Sequence, residues 1–109
     1  MAEGVQAVLA ITGLPESGLD ASAAFHHEHL ARVEECLAQG DLAALVLALA
    51  PAGPDHDDWR RALARDLARA HKPVRVNVVA GDEGEARDAI IAFLETAPGV
   101  TGQYLVAHE

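Results

Sequence analysis

The sequence predicts an α/β fold: a small parallel sheet of about four strands alternating with helices in the order β-α-β-α-β-α-β. The β-rich stretches at residues 5–11 (VQAVLAI) and 74–79 (VRVNVV) read as strands, and the short, continuous apolar run at 42–50 (LAALVLALA) suits a central one. Stretches of helical period lie between them. With no internal repeat and no long linker, this alternation means parallel strands joined by crossovers, which are right-handed as a rule.

Each element follows from its residues. Thr12-Gly13-Leu14-Pro15 ends the first strand, and Ser17, Gly18 and Asp20 read as a continuing loop. From Ala21 to Gln39, Phe25, Leu30, Val33 and Leu37 recur at helical spacing while Glu28, Glu34 and Glu35 face away. Gly40 is the expected C-terminal stop. The run from Leu42 suits a central strand or a buried helix, and Pro51, Gly53 and Pro54 favour the strand. Asp55 to Ala70 is the clearest helix, with Trp59, Leu63 and Leu67 in one stripe, Ala62 and Ala70 flanking it, acids at its start and arginines at its end. Pro73 stops that helix, and the third strand follows. Asp82 is the expected N-cap of the next helix, with Glu85 as its capping-box partner. That helix carries Ala86, Ile90, Phe93 and Ala97 inward and ends before Pro98, leaving Gly102 to Ala107 for the last strand.

Composition narrows the function classes. A chain of 109 residues, half of them apolar, fits one domain (1–109) able to bury a core without disulfides or metal. Eight Lys and Arg against 17 Asp and Glu give a formal charge of -9, which repels a phosphate backbone and speaks against nucleic acid as a partner. Seven basic residues or histidines do gather between Arg60 and Arg75, and helical spacing spreads most of them over an outer, solvated face. No leader and no membrane-spanning run is evident, so a cytoplasmic protein with no membrane partner is expected.

His26, His27 and His29 invite a metal, with His56, Asp57 or Asp58 as a further ligand, but consecutive helical residues point about 100° apart and the pattern reads better as polar helix surface. No metal is therefore expected. The single cysteine, Cys36, reads as an apolar filler. Trp59 suits either a core plug or an interface anchor. The Ser17-Gly18 loop suits an ordinary turn as well as a phosphate site.

The stretch Arg61 to Val106, RALARDLARAHKPVRVNVVAGDEGEARDAIIAFLETAPGVTGQYLV, resembles the C-terminal portion of the short-chain dehydrogenase/reductase family. The carriers are an Arg-Ala-Leu-Ala helix leading to "VRVN", a second helix leading to "FL", and "TGQ" opening the last strand. The resemblance implies a truncated Rossmann-like domain. Two alignments of the N-terminal part remain. In one, Thr12, Gly13, Ser17 and Gly18 belong to the family's glycine loop and would hold NAD or NADP, although Gly18 arrives one residue late and Asp20 brings a carboxylate beside the phosphates. In the other, which we prefer, residues 5–13 match the family's fourth strand and the nucleotide-binding half is missing.

The catalytic residues of the resembled family have no counterpart. Leu49-Ala50-Pro51-Ala52-Gly53 falls where the family carries Tyr-x-x-x-Lys, and the expected serine falls near Leu49-Ala50. Tyr104 and Lys72, the only residues of their kinds, sit elsewhere. By resemblance, the expectation is a non-catalytic accessory subunit with no cofactor, pairing with itself or with a full-length reductase of acyl-thioester or carbonyl metabolism. Its expected interface residues are Phe25, His29, Arg32, Trp59, Leu63 and Tyr104. The first strand would then present an apolar edge that the N-terminal segment, a second copy or another protein must cover.

Overall fold

In the computed structural model, which describes residues 5–108, strands β1 (Val5–Ile11), β2 (Leu42–Leu49), β3 (Arg75–Ala80) and β4 (Tyr104–Val106) lie side by side in that order. Every neighbouring pair is parallel. Helices α1 (Gly18–Glu28) and α2 (Leu30–Leu37) join β1 to β2, a 3₁₀ turn (Pro54–His56) and α3 (Asp57–Ala70) join β2 to β3, and α4 (Glu85–Glu95) joins β3 to β4. The α/β alternation predicted from the pattern of apolar runs is therefore present.

The apolar layer is asymmetric. Leu45, Leu47 and Leu49 of β2 and Val76 and Val78 of β3 meet Phe25, Val33, Leu37, Leu63 and Leu67 from α1, α2 and α3. On the other face Val46 and Val79 meet only Leu94, with Ile90, Ile91, Val100 and Leu105 around it. Because side chains alternate along a strand, α4 lies on the opposite face from the first three helices. All strands are parallel and each is added on the same side of its predecessor, so the third connection has the opposite hand to the other two. This corrects the expectation of uniform handedness. Hydrogen bonds hold this connection to its face: Arg75 donates from Nη1 to the Leu94 and Ala97 carbonyls (2.9 and 3.0 Å), and Asn77 donates to the Val100 carbonyl (3.0 Å). Both side chains project from the face of β3 that α4 covers.

Several boundaries differ from the sequence reading. The segment expected as loop from Ser17 to Asp20 is the start of α1, because the Ser17 hydroxyl accepts the Asp20 N–H at 3.1 Å and caps the helix. The single helix expected over residues 21–39 is divided at His29, whose backbone (φ -120°, ψ -24°) leaves the helical region. Gly40, at φ 89°, turns the chain into β2 as its position suggested. Asp82 caps nothing: α4 begins at Glu85 with Gly84 as its N-cap, so the capping box does not form. Phe93, expected inside, is 58% exposed, while its neighbour Leu94 is fully buried. Ala97 lies past the helix end, in a turn where the Val100 N–H reaches its carbonyl.

The two signature stretches bind each other. The Val76 N–H donates to the Thr101 hydroxyl (2.9 Å), the Gly102 N–H to the Val76 carbonyl (2.7 Å) and the Gln103 N–H to Asn77 Oδ1 (3.0 Å). Gly102 adopts φ 74° to make this turn. The "VRVN" and "TGQ" residues therefore dock β4 onto β3, a scaffold role that requires no ligand.

Candidate functional site

Ligands of open parallel sheets bind beyond the carboxyl ends of the strands. Here the loops after β1 and β2 enclose a cavity of about 500 Å³ at that place, bounded by Thr12, Gly13, Leu14, Ala52, His56 and Arg60. Its inner wall is built by two side chains: Arg60, expected on the outer face of its helix, and His56, which the sequence offered only as a further metal ligand. His56 is 3% exposed and Arg60 2% exposed.

His56 is fixed by its partners. The indole N–H of Trp59 donates to His56 Nδ1 at 3.2 Å, so Nδ1 carries no proton, and His56 Nε2 donates to the Glu16 carbonyl at 2.7 Å. The imidazole is thus neutral and pins the loop after β1 to the start of α3. Trp59 is half-buried among Phe25 (5.8 Å between ring centres), His56 (6.3 Å) and His26 (6.4 Å). Arg60 donates from Nη1 to the Ala50 carbonyl (3.0 Å) and the Tyr104 hydroxyl (3.2 Å), and its guanidinium stands 5.7 Å from the Trp59 ring and 5.8 Å from that of Tyr104. Arg60 belongs to the α3 stripe with Leu63, Ala64 and Leu67, which corrects its assignment to the outer face. The helical spacing from Leu63 and Leu67 back to position 60 was the available signal. Ala70, expected to flank the stripe, is exposed.

The glycine-loop residues have other duties. The Gly18 N–H donates to Asp55 Oδ2 at 2.7 Å, and Gly18 lies so close to the Asp55 backbone that a Cβ would overlap the Asp55 carbonyl. That N–H holds the Asp55 carboxyl below its ordinary pKa, opposed by partial desolvation and aided by the Asp55 backbone N–H. A carboxylate of the chain itself thus sits at the N-terminus of α1, where a dinucleotide phosphate would need to be. Ser17 is spent on the helix cap. Thr12 and Gly13 alone face the cavity.

Leu49 to Gly53, in register with the family's Tyr-x-x-x-Lys, supply a buried leucine, the Ala50 carbonyl and apolar cavity wall, with no side chain able to move a proton. The Tyr104 hydroxyl is engaged by Arg60, and Lys72 lies at the amino end of β3 beside a different cavity of about 290 Å³. The two do not meet. Of the expected interface residues, Phe25 (0% exposed) and Leu63 (4%) are consumed by the chain's own core, which removes them from any surface. Trp59, Tyr104 and His29 are half-buried, and Arg32 is exposed with its Nη2 3.2 Å from His29 Nδ1. The large apolar side chains that do reach the surface include Val5, Val8, Phe93 and Val106. Cys36 is half-buried against the core. Among the described residues no group of three His, Cys, Asp or Glu is arranged to hold a metal, and no helix is long and apolar enough to cross a membrane.

No curated protein and no solved structure matches the chain. A family model does: the one described as SDR-like, short chain dehydrogenase-like protein, covers residues 9–107, from within β1 to just past β4. With the Asn77–Gln103 and Val76–Thr101 bonds joining the two signature stretches in one parallel sheet, the chain belongs to the short chain dehydrogenase-like family.

Proposed function

We propose that this protein is a non-catalytic subunit whose role is assembly, pairing with a second copy or with a full-length reductase of the family that acts on acyl-thioester or carbonyl compounds. The observation that carries this reading is β1. Its outer edge has no strand beside it among the described residues, and Val5 and Val8 are 61% and 45% exposed. Residues 1–4, which could have covered that edge, lie outside the described part. An apolar seven-residue edge strand is a template for pairing, and proteins normally cover or charge such an edge. A second apolar surface supports the reading: Ala89, Ile90, Phe93, Leu105 and Val106 line a groove beside β4.

The strand order favours the alignment of β1 with the family's fourth strand. In a doubly wound sheet of order 3-2-1-4-5-6, a chain starting at the first strand places its fourth strand back beside the first, whereas strands four, five and six run consecutively outward. Here β4 lies beside β3. The absence of a proton-transfer side chain in the Leu49–Gly53 stretch supports the non-catalytic part of the proposal.

Light scattering coupled to size-exclusion tests it. The isolated protein at micromolar concentration, or its mixture with a full-length family reductase, is expected to show a mass above the monomer. Val8→Lys, which puts a charge on the bare edge, is expected to restore the monomer with an unchanged circular dichroism spectrum. A strict monomer in both settings, or oxidation of NADH or NADPH by the isolated protein with a carbonyl substrate, overturns the proposal.

A further inference from the structure

Arg60 carries a charge that the fold meets with neutral acceptors and aromatic rings but with no carboxylate among the described residues. It is 2% exposed, and none of the ion pairs among the described residues includes it. Its protein acceptors, the Ala50 carbonyl and the Tyr104 hydroxyl, are both neutral and both bind Nη1. Nε is buried with no acceptor. Nη2, which has no protein acceptor either, is free to donate a charge-assisted hydrogen bond to a carboxylate. A buried cation without a counter-charge is costly, and here it borders a cavity large enough for a small metabolite.

We propose that this cavity binds a small organic carboxylate whose charged end pairs with Arg60 and whose apolar body lies against Ile11, Leu14, Pro15 and Pro51. The inference is independent of the assembly reading. Charge selects the ligand class. His56 is neutral by its hydrogen bonds, so Arg60 is the one cation on the wall, and it balances a single negative charge. Glu16 at the cavity and the formal charge of -9 oppose a phosphate dianion more strongly than a carboxylate of single charge. The Leu14, Pro15 and Pro51 surfaces offer a hydrocarbon chain contact that inorganic anions cannot use.

Trp59 is the chain's single tryptophan and stacks near Arg60, so its emission reports on the cavity. Titration with butyrate is expected to change that emission saturably, against sodium chloride at matched ionic strength. Butyramide, of the same shape without charge, and inorganic phosphate are expected to bind at least tenfold more weakly. Arg60→Gln is expected to abolish the response. Should that variant fail to fold, Ala52→Phe, which fills the cavity from an exposed position and leaves Arg60 in place, is expected to abolish it instead. The proposal is overturned by a butyrate response no greater than that of chloride, by equal binding of butyramide or phosphate, or by binding that survives Ala52→Phe.

Discussion

Replacing Gly18 by alanine separates a packing role for this glycine from a phosphate-binding one. An added Cβ would overlap the Asp55 carbonyl oxygen and lie 2.7 Å from its carbonyl carbon, and these are backbone atoms that cannot rotate away. Relief requires α1 to back away from the loop before α3. That motion loosens Phe25 and Ala21, both fully buried, and lengthens the Gly18–Asp55 hydrogen bond. Overpacking against backbone belongs at the upper end of the usual range, about 3 kcal/mol. The helix propensity gained from alanine in the first turn offsets about 0.5 kcal/mol of this. The net loss is about 2.5 kcal/mol. With an unfolding entropy of about 2.1 cal/mol/K per residue, the melting temperature falls by about 11 °C. Gly53→Ala is the control, because its Cβ meets only the tip of the Asp55 side chain, at 3.2 Å, and its φ of -73° suits alanine. It is expected to change stability by less than about 0.5 kcal/mol. Thermal and urea unfolding followed by circular dichroism measure both. Equal stability of Gly18→Ala and the parent protein would refute the packing argument and return Gly18 to the status of a ligand-binding glycine.

Two further outcomes follow from the same geometry. Asn77→Ala removes a buried side chain and leaves the part-buried Gln103 N–H and Val100 carbonyl without their partner, and is expected to cost about 2 kcal/mol in urea unfolding, with a value below about 0.5 kcal/mol contradicting the docking role of this side chain. The Gly18 N–H lowers the folded pKa of Asp55, so the stability that this carboxylate adds is present above its ordinary value of 3.8 and disappears as the pH falls through the lower folded value. The difference in melting temperature between the parent and Asp55→Asn is therefore expected to be full at neutral pH and to shrink in acid below that ordinary value. A difference independent of pH would dissociate Asp55 from the α1 terminus.

What was legible in the sequence was local. The run LAALVLAL is apolar without interruption and VQAVLAI and RVNVVA are largely so, a composition that suits strands packed against helices, so the alternating sheet could be read directly. Pro73 and Gly40 marked ends because their effects act within one or two residues. Cap placement was less legible: Ser17 and Asp82 are both good caps in isolation, and which one caps depends on where the chain arrives from the sheet.

The tertiary structure decided the rest. Whether Phe93 or Leu94 points inward depends on the face of the sheet that α4 occupies, and the connection is held to that face by Arg75 and Asn77 reaching forward to the carbonyls at residues 94–100. The burial of Arg60 and His56 depends on loops brought together from positions 11–16 and 50–56, a juxtaposition created by strand pairing. Adjacent residues in a sequence carry their own torsional and hydropathic preferences, and these survive in any fold. The electrostatic environment of a side chain is made by groups distant along the chain, and it exists only once β1, β2 and α3 have packed.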